Sequence, residues 1–245
     1  VDAGHQRGVR RLAQESCVSI FHFGLLQKWA AAALNELIDS GLRRDWESAF
    51  HMKWHANDPR RLEAKSMEFG WSGFEGGTAD TKQGRARAEG VPYKLDAWLD
   101  PRGKAWVERH LTAVLGRMWV VAKLHYPEAC ERMWHATLAD MYGMCGTGWN
   151  KVTVGINNPT CMHYDDKNAY VTALLIVGLH GCHGGSHVLM GIDLGSAVIV
   201  EQCEEGTLIL GDYGRVLHGN LATTAGTRFV VNAYCSASVV LRLKK

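Results

Sequence analysis

The sequence predicts an α+β fold, with helices before residue 148 and strands after it. Apolar residues recur at helical spacing in the first part, whereas the second part alternates short apolar runs with glycine turns. A chain of 245 residues is long enough to bury a large core. We therefore predict one domain over residues 1–245, in which 1–148 is mainly helical support and 149–245 is a strand-rich core.

Three helices are predicted in the first part. The first extends from about Ser19 to Leu42, where apolar residues lie three or four apart and Gly41 ends the pattern. The second extends from Pro101 to about Leu124, and the third from about Glu128 to Met141. We interpret their aromatic stripes as core-facing, since helices of this kind commonly cover one face of a sheet.

A glycine-rich, charged segment from Gly70 to Gly90 separates the first helix from the second. It has almost no aliphatic residues, which predicts a mobile loop. Its basic residues could contact phosphates together with two arginines upstream, although a solvated loop is the plain alternative. These basic residues are Lys82, Arg85, Arg87, Arg60 and Arg61.

The second part predicts strands separated by turns. Gly184 and Gly185 predict a tight turn that enters a strand, and Gly206 precedes another strand. The predicted strands are Trp149 to Ile156, Tyr170 to Leu179, Val188 to Ile192, Val198 to Glu201, Thr207 to Leu210, Arg228 to Tyr234 and Val239 to Leu243.

Two histidines and an aspartate suggest a metal site. His163 and Asp165 are two residues apart, so one short strand would present both side chains on the same face. His218 follows in Leu-His-Gly-Asn and would have to come from another part of the fold. Two imidazoles and one carboxylate are the ligands of the facial triad of non-heme Fe(II) oxygenases, which leaves three metal positions open.

An arginine lies in the apolar strand that follows these residues. Arg228 precedes a Phe-Val-Val run, where a charged side chain is expected only if it is paired. Its planar guanidinium suits a carboxylate held by two hydrogen bonds. An edge-strand arginine with its head in water is the alternative.

The order of metal pair, glycine turn, distal histidine and arginine resembles the Fe(II)/2-oxoglutarate-dependent dioxygenase superfamily. The resemblance covers roughly 150–243 and implies a double-stranded β-helix (jelly-roll) core buttressed by the N-terminal helices. It implies that His163, Asp165 and His218 bind Fe(II) and that Arg228 binds the distal carboxylate of 2-oxoglutarate. Ascorbate would serve as the reductant or, instead of 2-oxoglutarate, as the cosubstrate. Many members have Arg-x-Ser here, but this chain has Val230 at the serine position.

Two further positions resemble the TET/JBP branch of that superfamily, in its compact fungal, protist and algal form. Asn168 matches a polar residue that hydrogen-bonds the flipped base, and Tyr234 matches an aromatic residue that stacks on it. Ser236, which we assign to the base-binding site with them, stands where a base-contacting histidine would be expected in the animal enzymes, and the cysteine-rich segment of those enzymes is missing. An Asx turn at Asn168 and a core tyrosine at Tyr234 are the structural alternatives.

We therefore predict an enzyme that flips a base out of methylated DNA and oxidises the methyl group of 5-methylcytosine. The Ser236 departure leaves N6-methyladenine, which the same chemistry would demethylate, as a second base. A prolyl-hydroxylase-like enzyme acting on a protein side chain is the alternative, and it would not need Lys82, Arg85 and Arg87. A catalytically inactive binding module is disfavoured by the complete ligand set.

Composition adds the expected setting. The net charge is +2, so charge does not by itself indicate nucleic-acid binding. Seven scattered cysteines without a Cys-x-x-Cys pair favour reduced thiols in an intracellular compartment. The TET/JBP resemblance implies a nuclear protein. We expect a monomer with no membrane partner. The Val-Asp-Ala start suggests a trimmed catalytic fragment.

One cysteine and two histidines suggest a second metal site that we do not favour. Cys182, His183 and His187 resemble half of a zinc cluster, but no second ligand pair completes it at a familiar spacing. We interpret the segment as a solvent-facing hairpin that happens to contain histidines.

Overall fold

The computed structural model describes residues 18–22, 26–40, 65–72, 92–165, 167–190, 197–200 and 206–243. The predicted loop residues Lys82, Arg85 and Arg87, and Arg60 and Arg61 before them, lie outside the described residues.

Eleven strands and several helices make up the described part of the chain. The strands are β1 Val18–His22, β2 Lys65–Ser72, β3 Tyr93–Lys94, β4 Lys151–Ile156, β5 Thr160–His163, β6 Asn168–Gly184, β7 His187–Met190, β8 Ala197–Val200, β9 Thr207–Gly211, β10 Leu217–Asn220 and β11 Thr223–Ser236. The helices are α1 Gln27–Asp39, α2 Asp96–Leu99, α3 Pro101–Trp106, a π-helical turn Val107–Leu111, α4 Thr112–His125, α5 Pro127–Ala136, α6 Ala139–Tyr142 and α7 Ala237–Leu243.

The strands form two antiparallel sheets. The larger sheet has the order β1-β9-β6-β11-β4-β2-β3, and the smaller sheet has the order β5-β10-β7-β8. One hydrophobic cluster fills the space between the larger sheet and the helices, and a second cluster joins residues of both sheets. The arrangement confirms the predicted α+β class, with a jelly-roll core covered by helices.

The packing on the two faces of strand β6 explains why its sequence is continuously apolar. Leu175 and Val177 belong to the cluster beneath the helices, whereas Leu174 and Ile176 belong to the cluster between the sheets. Because both faces of the strand are covered, successive residues are buried instead of alternating with polar ones.

Two predicted elements, one near each end of the chain, are wrong. The first predicted helix, Ser19–Leu42, is divided, because Val18–His22 forms strand β1 against β9 and helix α1 begins only at Gln27. Val239–Leu243, predicted to be a closing strand, belongs to helix α7. A short apolar run fits either state, because its periodicity alone does not distinguish a strand from a buried helix.

Candidate metal centre and active-site cavity

Strands β5 and β10 bring the three predicted metal ligands together. His163 is the last residue of β5, Asp165 follows beyond the strand end, and His218 lies on β10 directly opposite His163. Gly219 allows this close pairing, since a Cβ atom there would lie 2.8 Å from the Thr160 carbonyl oxygen. The expectation that one strand carries both His163 and Asp165 is thus met only for His163.

The three side chains leave room for one ion. One oxygen of Asp165 lies 3.3 Å from His163 Nε2, and the other lies 3.6 Å from His218 Nε2. The three ligand atoms lie within 4.8 Å of one another, and no other group of described residues offers such a set. Such a spacing suits shared coordination of a metal ion.

Backbone hydrogen bonds fix the orientation of both imidazoles. His163 Nδ1 donates to the Cys161 carbonyl at 2.8 Å, and His218 Nδ1 donates to the Val216 carbonyl at 2.9 Å. A carbonyl oxygen can only accept, so in the neutral rings the proton is on Nδ1 and the Nε2 lone pair faces Asp165. This second contact is the one that orients histidine ligands in metal sites.

Hydrogen bonds to neighbouring residues hold Asp165 and its carboxylate in place. Its backbone N–H donates to the Tyr213 carbonyl at 2.9 Å, and the Asn168 side-chain amide donates to Asp165 Oδ2 at 2.9 Å. The Asn168 backbone N–H also donates to the Asp165 carbonyl at 2.9 Å, which closes a turn after the ligand. Asn168, predicted to contact a base, is therefore already engaged with the predicted metal ligand Asp165; the base contact stays a prediction.

The triad opens into a cavity of about 670 Å³ that is floored by the larger sheet. Alternate residues of β11 line it, whereas the residues between them belong to the cluster beneath the helices. The lining residues of β11 are Arg228, Val230, Asn232 and Tyr234. Six residues of extended strand span roughly 20 Å, so Arg228 and Tyr234 mark opposite ends of the cavity.

Arg228 is a buried cation without an anionic partner among the described residues. The residue is 2 % exposed, and its Nη2 donates to Asn220 Oδ1 at 2.7 Å. Its Nε has no hydrogen-bond partner, and no described Asp or Glu forms an ion pair with it. Burial lowers the pKa of Arg228 to about 10, so the guanidinium stays protonated at neutral pH. A buried charge of this kind requires a partner, and a ligand carboxylate would supply one.

A chain of hydrogen bonds holds Arg228 in place. Asn220 Oδ1 also accepts from His187 Nδ1 at 2.8 Å, and its amide donates to Thr160 Oγ1 at 2.8 Å. His187 Nε2 then accepts from the Tyr213 hydroxyl at 3.2 Å. Burial lowers the pKa of His187 to about 3, so this ring is neutral.

The roles of Asn220, His187 and Tyr213 were not predicted from the sequence. Asn220 lies two residues after His218 on one strand, and that spacing was the signal for a shared face. His187 is 1 % exposed, so the interpretation as part of a solvent-facing hairpin is wrong for this residue. His187 donates a hydrogen bond to Asn220 instead of joining other ligands around a zinc ion.

Polar groups also surround the far end of the cavity. The Tyr234 hydroxyl donates to Glu68 Oε1 at 2.8 Å, and Lys151 Nζ lies 3.2 Å from Glu68 Oε2. Asn232 Oδ1 is buried without a hydrogen-bond partner. Ser236 is buried with its hydroxyl 2.8 Å from that of Ser238, and it is not among the residues that line the cavity. Its predicted contact with a base stays a prediction.

Comparison with known proteins gives a fold but no family from sequence. No protein-family model matches the sequence, and no curated protein does. Among solved structures, NgTET1 in complex with 5mC DNA is similar with a TM-score of 0.53 at 10% identity, over 81% of this chain and 68% of that one. A putative 2OG-Fe(II) oxygenase family protein from Caulobacter crescentus gives a TM-score of 0.54 at 12% identity, over 94% and 81%.

The chain has the fold of a 2OG-Fe(II) oxygenase. A prolyl hydroxylase from Trichoplax adhaerens, in complex with a hypoxia inducible factor peptide, is also similar at 12% identity over 98% of this chain and 96% of that one. Its TM-score is 0.49. The predicted fold is confirmed, whereas these similarities leave the TET/JBP branch undecided.

The residues present fit the cofactors that this fold implies. Two imidazole nitrogens and a carboxylate match an Fe(II) facial triad. The orphaned Nε of Arg228 and its buried positive charge match one end of a dicarboxylic acid. All five cysteines within the described ranges are free thiols, and none of the helices there is long and apolar enough to cross a membrane.

Proposed function

We propose that the protein is an Fe(II)- and 2-oxoglutarate-dependent dioxygenase that oxidises the methyl group of 5-methylcytosine in DNA. His163, Asp165 and His218 hold the iron in this proposal, and Arg228 holds 2-oxoglutarate. When bound, the iron and the oxo acid activate O2 for hydroxylation of an unreactive C–H bond.

One observation carries the proposal: the predicted metal triad shares one cavity with a buried arginine, which has no anionic partner among the described residues, and with a polar, aromatic end. Arg228 offers a cation to a carboxylate at one end. At the other end Tyr234 offers a ring, and Glu68 and Asn232 offer hydrogen-bonding groups. A flat heteroaromatic ring with polar edges suits that end.

The protein side chains act by binding and orientation. Arg228 directs the distal carboxylate of the oxo acid, so that its other end lies toward the triad. Asn168 holds Asp165 Oδ2, and the carbonyls of Cys161 and Val216 hold the imidazoles, so that the three ligands are preorganised for one ion. Burial of Arg228 and His218 keeps bulk water away from the cofactor end.

The polar end favours a base over a proline side chain. A pyrrolidine ring has no hydrogen-bonding edge, and it would leave Asn232 Oδ1 and Glu68 without new partners. A flipped base supplies donors and acceptors along its Watson–Crick edge. Base flipping of this kind would place the protein in the nucleus, which stays a prediction, as do DNA as the partner and the monomeric state.

The test is mass spectrometry of nucleosides from 5-methylcytosine duplex DNA after incubation with the protein, Fe(II), O2 and 2-oxoglutarate. We expect 5-hydroxymethylcytosine that forms only when the oxo acid is present. If only a parallel N6-methyladenine duplex lost methyl groups, the proposed chemistry would stand and the substrate base would be N6-methyladenine. Succinate formation without a change in either DNA would rule out the nucleic-acid substrate and direct the search to peptides.

A second comparison separates DNA from peptide substrates. Substitution of Lys82, Arg85 and Arg87 by glutamine should lower kcat/KM on duplex DNA, and the loss should be larger at low salt than at high salt, because phosphate contacts contribute most to binding at low salt. A peptide-modifying enzyme would not need these charges, so unchanged DNA activity in this variant would argue against a phosphate-binding role for them.

A further inference from the structure

Glu68 places a carboxylate at the substrate end of the cavity. It lies on a strand that was not predicted from the sequence. It lies on β2, where it pairs with Thr153 of β4, which in turn pairs with Asn232 of β11. All three residues line the cavity. They form one row across three adjacent strands, two residues away from Tyr234 along β11.

The carboxylate retains hydrogen-bonding capacity. Oε1 accepts from Tyr234 and Oε2 interacts with Lys151, yet the side chain is 45% exposed and a carboxylate has about four acceptor positions. Partial desolvation in the cavity opposes ionisation, but the charge of Lys151 and the hydrogen bond from Tyr234 outweigh it and lower the pKa of Glu68. Glu68 is thus an anion that accepts hydrogen bonds and donates none.

A second acceptor lies in the same row. Asn232 Oδ1 is buried and has no partner, although a buried carbonyl oxygen of this kind is normally hydrogen-bonded. An exocyclic amino group has two N–H donors, so it can serve two acceptors at once. A carbonyl oxygen at the same place would face the negative charge of Glu68 and leave both acceptors unsatisfied.

We infer that Glu68 selects the base by accepting a hydrogen bond from its exocyclic amino group, with Asn232 Oδ1 as the second acceptor. This inference rests on the proposed function and specifies its substrate. Cytosine presents an amino group at position 4, where thymine presents a carbonyl oxygen. Both 5-methylcytosine and thymine have a methyl group on the neighbouring carbon, so the amino group is what separates the two substrates.

The experiment compares 5-methylcytosine with thymine at one position of the same duplex. The target base faces an abasic site, so that neither base pair has to be opened. For the wild-type protein we expect a preference for 5-methylcytosine in kcat/KM, and Glu68→Gln should reduce that preference about 10- to 100-fold. Asn232→Leu should reduce it in the same direction, because it removes the second acceptor at similar volume.

Two further variants separate recognition from support of Tyr234. Tyr234→Phe removes the hydroxyl that donates to Glu68 but keeps the ring, so it should retain the preference for 5-methylcytosine. Equal loss of preference in Tyr234→Phe and Glu68→Gln would overturn the inference, because Glu68 would then act only by holding the tyrosine. Glu128→Gln, at a surface glutamate 86% exposed, is the matched control and should retain wild-type preference and rate.

The outcomes distinguish the inference from the function on which it rests. A wild-type protein that oxidises 5-methylcytosine and thymine equally well, or a Glu68→Gln variant with full preference, would overturn the role of Glu68 and leave the dioxygenase in place. A wild-type protein with no activity on 5-methylcytosine would overturn the proposed function and this inference together. If Glu68→Gln does not fold, Glu68→Asp keeps the charge on a shorter side chain and should lose rate while retaining preference.

Discussion

Replacing Arg228 by methionine should strengthen the ligand-free fold and remove its response to 2-oxoglutarate. Methionine has a similar length, fills the same space and carries no charge to desolvate. An uncompensated buried charge destabilises a fold, and replacing buried ionic groups by apolar side chains often stabilises by about 1 to 3 kcal/mol. In a chain of this length that corresponds to a rise in Tm of roughly 2 to 12 °C.

The loss of the response to 2-oxoglutarate also follows from the removal of Arg228. Truncating one partner of a buried, hydrogen-bonded charge pair costs about 2 to 5 kcal/mol of binding. Because 1.4 kcal/mol is a factor of ten, the Kd for 2-oxoglutarate should rise about 30- to 4000-fold. At a 2-oxoglutarate concentration of about 100 times the wild-type Kd, ligand binding stabilises the wild type by about 2.7 kcal/mol. The variant should gain less than about 1 kcal/mol at that concentration.

The assay is thermal unfolding with Fe(II) under anaerobic conditions, with and without 2-oxoglutarate, and it requires no knowledge of the substrate. The wild-type Tm should rise by roughly 5 to 11 °C on adding the oxo acid, whereas that of Arg228→Met should barely change. Arg215→Met is the matched control, because the Arg215 side chain is 79% exposed and pairs only with Asp212 in the described structure. A destabilised Arg228→Met variant that still responds to 2-oxoglutarate would show that the arginine is structural.

Three further substitutions test the metal centre and its support. Asp165→Ala removes the only anionic ligand of the triad and should abolish both turnover and tight iron binding, as measured by metal content after dialysis. Asn220→Ala should raise the Kd for 2-oxoglutarate roughly tenfold or more, since a hydrogen bond to a charged group contributes about 1.5 to 3 kcal/mol and here it orients Arg228. Gly219→Ala should lower both the Tm and the iron content, because the new Cβ would meet a carbonyl oxygen of the facing strand at 2.8 Å. Gly116→Ala, at a helical position with no atom within 4 Å of the new Cβ, should instead stabilise by about 0.5 to 1 kcal/mol.

Each of these expectations has a clear contrary result. Full activity in Asp165→Ala would remove the metal assignment. An unchanged oxo-acid affinity in Asn220→Ala would mean that Arg228 needs no support from β10. If Gly219→Ala bound iron as tightly as Gly116→Ala, the close pairing of β10 with β5 would not be needed for the site.

The sequence predicted the residues that lie close together in the chain and missed those contributed by distant strands. His163 and Asp165 share a short segment, Arg228 stands out as a charge in an apolar run, and their order along the chain with His218 carried the resemblance. His187 and Tyr213 are polar residues whose partners come from other strands, and no periodicity marks such a pairing. Glu68 belongs to β2, whose antiparallel pairing with β4 spans more than eighty residues of chain.

The errors in secondary structure have the same origin. Val18–His22 is a strand because it pairs with the edge of β9, and the apolar residues of that segment alone fit a helix equally well. Helix α7 and the predicted final strand differ in the same way, since tertiary packing decides the state of a short apolar run. The long helical stretch from Pro101 to His125 was predicted correctly because it repeats its pattern over several turns.

Strand β11 carries both the proposed cosubstrate anchor and a wall of the far end of the cavity, with Arg228 and Tyr234 on the same face. The separation between them is set by the covalent repeat of an extended chain, which helices and loops cannot stretch or shorten. The distance between these two side chains is therefore fixed by backbone length. A deletion of one residue between Arg228 and Tyr234 would turn one of the two toward the helices.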